Sequence, residues 1–215
     1  MYQNRSIDML SGSFWVNPSR FFYRGIVKNV IDSIAAFLAI VVLSPLLILI
    51  AIRIKQDSPG PILVKQKCEG LKGHPFKMYK FRTHQLIAVG SLQEPKYVLR
   101  ETYVGKILKE ANLENLPQLF NVFMCDMSLV GPRAQLINLK INNVGIDEII
   151  PHYQIRTLVK PGMTGWAQIN GLRGPLSTIS QLKQRVSYDI DYMKYASFKI
   201  DCYILLKTLR LLKSA

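Results

Sequence analysis

Acidic side chains are scarce in this chain of 215 residues: 14 Asp and Glu stand against 28 Lys and Arg, a formal net charge of +14. Such a balance suits an anionic partner, whether nucleic acid, an anionic lipid surface or a phosphorylated substrate. Cysteine is also sparse. Cys68, Cys125 and Cys202 are odd in number, far apart and free of any CxxC spacing, so a disulfide framework does not fit, and reduced thiols in a cytoplasmic setting are expected. His74, His84 and His152 are isolated, which leaves no zinc spacing. No internal repeat or low-complexity tract is present, and 49% hydrophobic against 20% charged residues does not fit a disordered chain.

What the chain has in excess is apolar residues in a row. Its mean hydropathy is +0.13, and residues 33–52 read SIAAFLAIVVLSPLLILIAI, without a charge between Asp32 and Arg53. As a helix this run is about 30 Å long, the thickness of a bilayer core. Every face is apolar, unlike the striped helix of a soluble core. Residues 1–32 precede the run and no small-residue cleavage site follows it, so a retained anchor is expected rather than a signal peptide. Both flanks are basic, with Arg20, Arg24 and Lys28 before and Arg53 and Lys55 after. Positive residues prefer the cytoplasmic side, and a proline inside a helix kinks or breaks it. The expected course is therefore a re-entrant hairpin that enters one leaflet, turns at Ser44-Pro45 and leaves on the same side. An ordinary span with a proline kink is the alternative.

The remaining pattern predicts an α+β protein in three parts: an interfacial arm (1–23), the re-entrant helix (24–56) and a small mixed cytoplasmic domain (57–215). In the arm, Phe14, Trp15, Phe21, Phe22 and Tyr23 suit the headgroup zone. Strands are expected at 62–64 and 75–83, and helices at 103–112, 116–123 and 176–195. Residues 85–101 have poor periodicity and read as a loop or lid. Residues 127–136 are extended and run into a Gly-Pro turn, 138–155 are helical in part, and 159–174, with four glycines and a proline, form a structured loop. The tail combines Ile200, Ile204, Leu205 and Leu209 with Lys199, Lys207 and Arg210. That pattern suits an amphipathic helix on an anionic leaflet, or one packed on the domain.

Three segments carry chemistry. In FKMYKFRT (76–83), strand alternation puts Lys80 and Arg82 on one face, where two cations suit a pyrophosphate; a solvated basic strand is the plain alternative. Gly131-Pro132-Arg133 is a turn that fixes an arginine for a phosphate. Glu114 and Asn115 stand where a helix begins. They read as caps or as a carboxylate and an amide beside anion-attracting N–H groups.

Taken together and in order, IDSIAAFLAIVVLSPLLILIAI, SPGPILVKQ, FKMYKFRT, LPQLFNVFMCDMSLVGPR and VKPGMTGWAQINGLRG resemble the bacterial sugar transferase family of monotopic polyprenyl-phosphate phosphoglycosyl transferases, over residues 25–215. Asp189, Tyr192, Ser197 and Asp201 also fall where that family has these residue types. The resemblance implies a ping-pong reaction at the cytoplasmic face of the bacterial inner membrane. An acidic residue attacks the sugar-proximal phosphate of a nucleotide-diphosphate sugar, and the phosphosugar then passes to a polyprenyl phosphate, usually undecaprenyl phosphate. It implies Mg2+ as cofactor and anionic membrane lipids as surroundings, initiating exopolysaccharide or other glycoconjugate synthesis. A homodimer is compatible with it, whereas nucleic acid is not a partner: the apolar run opposes that reading and no base-stacking motif is present.

By this resemblance Glu114 is the nucleophile and Asn115 a weak metal ligand. Lys80, Arg82, Lys109 and Arg133 neutralise the diphosphate, and Arg156, Gln168 and Asn170 are further substrate contacts. The chain departs from the family pattern at several of these positions. Glu114-Asn115 replaces an Asp-Glu pair, Lys109 replaces Arg, Ala134 replaces Pro, and His84-Gln85-Leu86 stands where acidic residues are common. Two readings stay open: an active enzyme with a glutamate nucleophile, or a degenerate member that keeps fold and membrane docking and serves glycan assembly as a partner or regulator.

Overall fold

A computed structural model of the chain describes residues 23–89, 96–137, 140–141, 144–150, 153–174 and 178–213. The interfacial arm expected at the N-terminus lies outside them, but for its last residue. After a π-turn at Tyr23–Val27, helix α1 runs over Lys28–Asp57. Its 30 residues extend about 45 Å. Alanine, leucine and isoleucine fill it, and Pro45 is its one breaker. The helix nevertheless continues through Pro45. A proline at that position leaves the Val41 carbonyl without its usual N–H partner, and the Ser44 hydroxyl donates to that oxygen at 2.7 Å. The chain therefore stays helical across Ser44-Pro45, where the sequence predicts a hairpin break.

One face of α1 lies along the rest of the protein. Ala36, Ala39, Ile40 and Leu43 pack with Cys68, Met78, Leu119 and Val122. Farther on, Leu46, Leu47, Ile50 and Ile54 pack with Phe81 and Leu108. The opposite face exposes Val30, Ile34, Phe37, Val42, Ile48 and Leu49. Gly25–Asp57 is thus long and apolar enough to cross a membrane, with 11% of its most apolar stretch buried.

Beyond Ser58 come β1 (Leu63–Glu69) and β2 (Pro75–Phe81), an antiparallel pair registered Leu63↔Phe81 through Glu69↔Pro75. Residues 85–101, expected as a loop, instead form most of a second antiparallel hairpin, β3 (His84–Val89) and β4 (Lys96–Glu101). Leu86, Val98 and Leu99 are all exposed on it. No face of this hairpin is consistently polar, so the period-two signal of a half-buried strand is missing.

Helix α2 (Tyr103–Glu110) opens on Thr102, whose hydroxyl accepts from the Gly105 N–H at 3.0 Å, a standard N-cap. The 3-10 turn Leu113–Asn115 and α3 (Gln118–Phe123) follow. The predicted single helix over 116–123 thus starts two residues later, and no side chain caps it. Glu114 and Asn115 are therefore not its caps.

Strand β5 (Ser128–Val130) pairs in parallel with β8 (Gly162–Thr164). Between them lie β6 (Lys140–Ile141), β7 (Val144–Gly145), α4 (Ile146–Ile149) and a 3-10 stretch over Tyr153–Leu158. The glycine-rich loop contains β8 and the turn α5 (Trp166–Ile169), so it is more regular than predicted. Its glycines allow backbones to meet: a Cβ on Gly162 would collide with Gly131, and so would one on Gly165.

Helices α6 (Ile179–Tyr195) and α7 (Phe198–Lys213) close the body. Ile200, Ile204 and Leu205 pack with Val130, Ile169 and Tyr192, while Leu206 and Leu209 stay exposed. The tail therefore docks on the domain by one face and keeps a second apolar face outward. A buried polar network joins α7 to the start of α1. Lys28 pairs with Asp201 and, at 3.3 Å, with Asp32. Ser128 donates to Asp32, and the Tyr192 hydroxyl shares its one proton between Asp201 at 2.8 Å and the Val130 carbonyl at 3.1 Å.

Candidate active site

Strand β2 delivers Lys80, the 3-10 turn delivers Glu114, and the turn after β5 delivers Arg133. The strand and the 3-10 turn pack against each other. Asn121 of α3, fully buried, holds the strand in place. Its Oδ1 accepts from the Tyr79 N–H at 2.9 Å, and its Nδ2 donates to the Lys77 carbonyl at 2.8 Å. One amide thus imitates a neighbouring strand beside Lys80. Sequence reading missed Asn121. The signal was an amide on the apolar side of LFNVF, which must find partners once buried.

The three charges act on one another. Burial holds the Lys80 ammonium below its ordinary pKa; Glu114 opposes that shift and Arg133 adds to it. Burial likewise lowers Arg133, with Glu114 again opposing. Among the described residues, no side-chain hydrogen bond or ion pair involves Lys80, Glu114 or Arg133. A half-buried carboxylate therefore lies in the field of two cations without being locked to either. Each is left to meet an anion or an electrophile. Cys68, in the same field, is no rival nucleophile, because burial pushes its thiol up to about 11 and keeps it protonated.

Lys109 stands at the edge of this group. Its Nζ lies 2.7 Å from the Glu101 carboxylate and 3.2 Å from Nε2 of His84. An ammonium only donates, so Nε2 accepts, and Nδ1 carries the ring proton 3.0 Å from the Thr83 hydroxyl.

Other predicted residues have different work. Arg82 is buried and donates to the carbonyls of Ile54 (3.3 Å), Ser58 (2.6 Å) and Pro59. It closes the C-terminal end of α1 instead of joining Lys80. Arg156 is also buried; it donates to Asp189 at 2.7 and 3.1 Å, to the Tyr153 hydroxyl at 2.6 Å and to the Arg133 carbonyl at 2.7 Å. That makes it a brace beneath Arg133, with four of its five N–H donors engaged within the protein. Gln168 donates to Met163 and Asn170 to Trp166, each inside its own loop. Ser44 and Pro45 lie within α1.

The Asn115 Oδ1 accepts from Gln118 Nε2 at 2.8 Å. Among the described residues no three His, Cys, Asp or Glu side chains gather as a metal cage would require. One carboxylate and an engaged amide do not fit a protein-built magnesium site.

A family model described as "Bacterial sugar transferase" matches residues 23–214. The chain belongs to the bacterial sugar transferase family. The family match takes in α1, Lys80, Glu114 and Arg133, and leaves out residues 1–22. Among family relatives, a UDP-glucose:undecaprenyl-phosphate glucose-1-phosphate transferase of Xanthomonas campestris pv. campestris is 39% identical over 189 residues, covering 86% of this chain and 38% of that protein. One of the same name from Caulobacter vibrioides is 42% identical over 183 residues, covering 84% and 67%. "Exopolysaccharide production protein PSS" of Rhizobium leguminosarum bv. phaseoli is 38% identical over 186 residues, covering 85% and 93%. The chain therefore spans well under half of the Xanthomonas protein and nearly the whole of the Rhizobium one.

Proposed function

We propose that this protein transfers a sugar phosphate from a nucleotide-diphosphate sugar to polyprenyl phosphate, with Glu114 as the covalent carrier. The observation that carries this reading is the unengaged Glu114 carboxylate in the field of both Lys80 and Arg133. Relatives named for glucose-1-phosphate transfer to undecaprenyl phosphate support the substrate class. A Glu114 oxygen attacks the sugar-bearing phosphorus of the donor. The bond from that phosphorus to the bridging oxygen breaks, and a nucleoside monophosphate leaves with that oxygen. An oxygen of the polyprenyl phosphate then attacks the same phosphorus. The acyl-phosphate bond breaks, Glu114 returns as a carboxylate, and a polyprenyl diphosphate sugar is formed. Lys80 and Arg133 stabilise the charge that spreads over the equatorial oxygens. Lys109 does so less, because it is shared with Glu101. An Mg2+ ion arriving with the donor diphosphate would meet Glu114, the neighbouring Asn115 amide oxygen being engaged by Gln118.

The acceptor lives in a membrane, and we read α1 as monotopic, an unbroken helix held at the cytoplasmic face of the inner membrane. The support is that both ends of the helix rest on the same body. Lys28 and Asp32 reach α7 and β5, while Asp57 accepts from the Val104 N–H at 3.1 Å and Ile54 packs with Phe81. A straight span would separate such ends by about 30 Å of hydrocarbon. The exposed apolar faces of α1 and α7, with a net charge of +14, suit an anionic leaflet.

Purified protein in nanodiscs, given UDP-glucose or other nucleotide sugars with undecaprenyl phosphate, is expected to release a nucleoside monophosphate. Glu114→Ala should end that release. Wild-type levels of release from the variant would remove Glu114 as carrier. A wild-type protein silent with every donor would favour the partner or regulator role.

A further inference from the structure

Between the end of β1, the turn after β5 and the stretch leading into β8 lies a small polar niche to which the transfer reaction above assigns no role. Its backbone is fixed on two sides. The Gln135 carbonyl accepts from the Glu69 N–H at 2.9 Å, and Arg133 bridges to Gly162. Gln135, Glu69, Arg133 and Thr157 line the niche, with Val159 and Pro161 as its apolar side. It encloses about 10 Å³, room for a single water-sized group. The Gln135 side chain is 8% exposed, and its buried Nε2 has no hydrogen-bond partner among the described residues. A buried donor left unsatisfied is destabilising, and native proteins keep few of them without a use.

The wall also indicates what would satisfy that donor. Nε2 and the Arg133 guanidinium only donate. Glu69 offers only acceptor oxygens, because its N–H is taken by Gln135, and a carboxylate has lone pairs for several partners. The Thr157 hydroxyl gives its proton to the Gln154 carbonyl at 2.8 Å, which leaves its oxygen as an acceptor. A phosphoryl or carbonyl oxygen answers the donors but not the acceptors, and an ammonium does the reverse. A hydroxyl answers both, and it matches the room available.

We infer that this niche takes a hydroxyl group of the nucleotide-diphosphate sugar, with Gln135 as the residue that recognises it. The inference rests on the proposed transfer and deepens it by naming a donor-recognition residue. Arg133 belongs both to the niche wall and to the contacts proposed for the diphosphate, so a donor bound there brings its hydroxyls to the opening. Polyprenyl phosphate has no hydroxyl on its hydrocarbon chain. In the donor, the hexose and the ribose stand at opposite ends of the diphosphate and both carry hydroxyls; the niche has room for one.

Monophosphate release in nanodiscs tests this with UDP-glucose, or the nucleotide sugar that the wild type prefers, and with analogues that each lack one hexose or one ribose hydroxyl. The wild type is expected to lose about tenfold or more in kcat/KM with one analogue, whose identity tells hexose from ribose. Gln135→Leu should lose a similar factor with the full donor and no longer distinguish it from that analogue, a non-additive pair. Its denaturation midpoint should not fall, since the change removes an unsatisfied buried donor. Gln135→Asn, which draws the amide back by one methylene, should show the same loss of discrimination and serves if the leucine variant does not fold. Equal rates with every analogue in the wild type, or a variant that keeps the wild-type preference, would overturn the assignment and leave the niche to a bound water. A lower midpoint with equal losses for every donor would make Gln135 structural and overturn it too. A wild type silent with every nucleotide sugar defeats the transfer reading itself, and the niche falls with it.

Discussion

On the proposed reading Glu114 carries the phosphosugar with one methylene more than an aspartate, and shifting an attacking oxygen by about 1 Å can cost on the order of a hundredfold in rate. Its neighbour Asn115 offers an amide already engaged by Gln118. Asn115→Glu is expected to raise kcat and the response to added Mg2+, read from monophosphate release across a metal titration; no gain would show that a second carboxylate is not what the site lacks. Lys80 makes a prediction about pH. Burial lowers its pKa, so the free enzyme loses this charge at a lower pH than an ordinary lysine would. The alkaline limb of kcat/KM should therefore fall early, and Lys80→Arg should move it upward because a guanidinium stays charged. An unmoved limb would assign it to another group. The sequence motifs single out Glu114, Lys80 and Arg133, and the fold places the three in one another's electrostatic field. The work of Arg82 and Arg156 was not legible there. A motif announces a cation, but it does not say whether backbone carbonyls from distant segments will use up its donors, as those of Ser58 and Arg133 do here. Arg156→Ala leaves Asp189 buried without its partner and should cost about 3–5 kcal/mol, measured by chemical denaturation. Losing that brace should also raise KM for the donor through Arg133.

At the level of elements, patterns with strong periodicity were readable and weak ones were not. The helices α2 and α6 and the strand β2 follow their apolar spacing closely. The β3–β4 hairpin did not read as strands, because its exposed leucines and valine break the alternation that a covered face would impose. The glycine loop concealed β8, whose pairing with β5 is parallel and joins residues far apart in the chain. Such pairings leave no local trace. The close approach of Gly162 to Gly131 explains why a glycine is needed on that strand. Gly162→Ala should destabilise the protein by roughly 1–3 kcal/mol, seen as a lower denaturation midpoint, and should weaken donor binding, since Arg133 bridges to Gly162.

For the molecule as a whole, charge and one long apolar run point to a membrane and the periodicity beyond it to the mix of helix and strand found here, while the course of that run was less legible. Composition cannot reveal that one side of α1 would serve as a wall of the core. Single cysteines introduced at positions 24 and 56 are expected to react with an impermeant reagent from the cytoplasmic side of inverted vesicles. Labelling from opposite sides would make α1 a span. The network of Lys28, Asp32, Ser128, Tyr192 and Asp201 adds a temporal dimension to this architecture. Lys28 and Asp201 are 173 residues apart, so at about 5–20 residues per second the ribosome needs roughly ten seconds or more to supply the second after the first. Throughout that interval the oily helix has emerged without the carboxylate that completes the docking of its own first turn. The body therefore cannot close on the first turn of α1 until synthesis has reached α7.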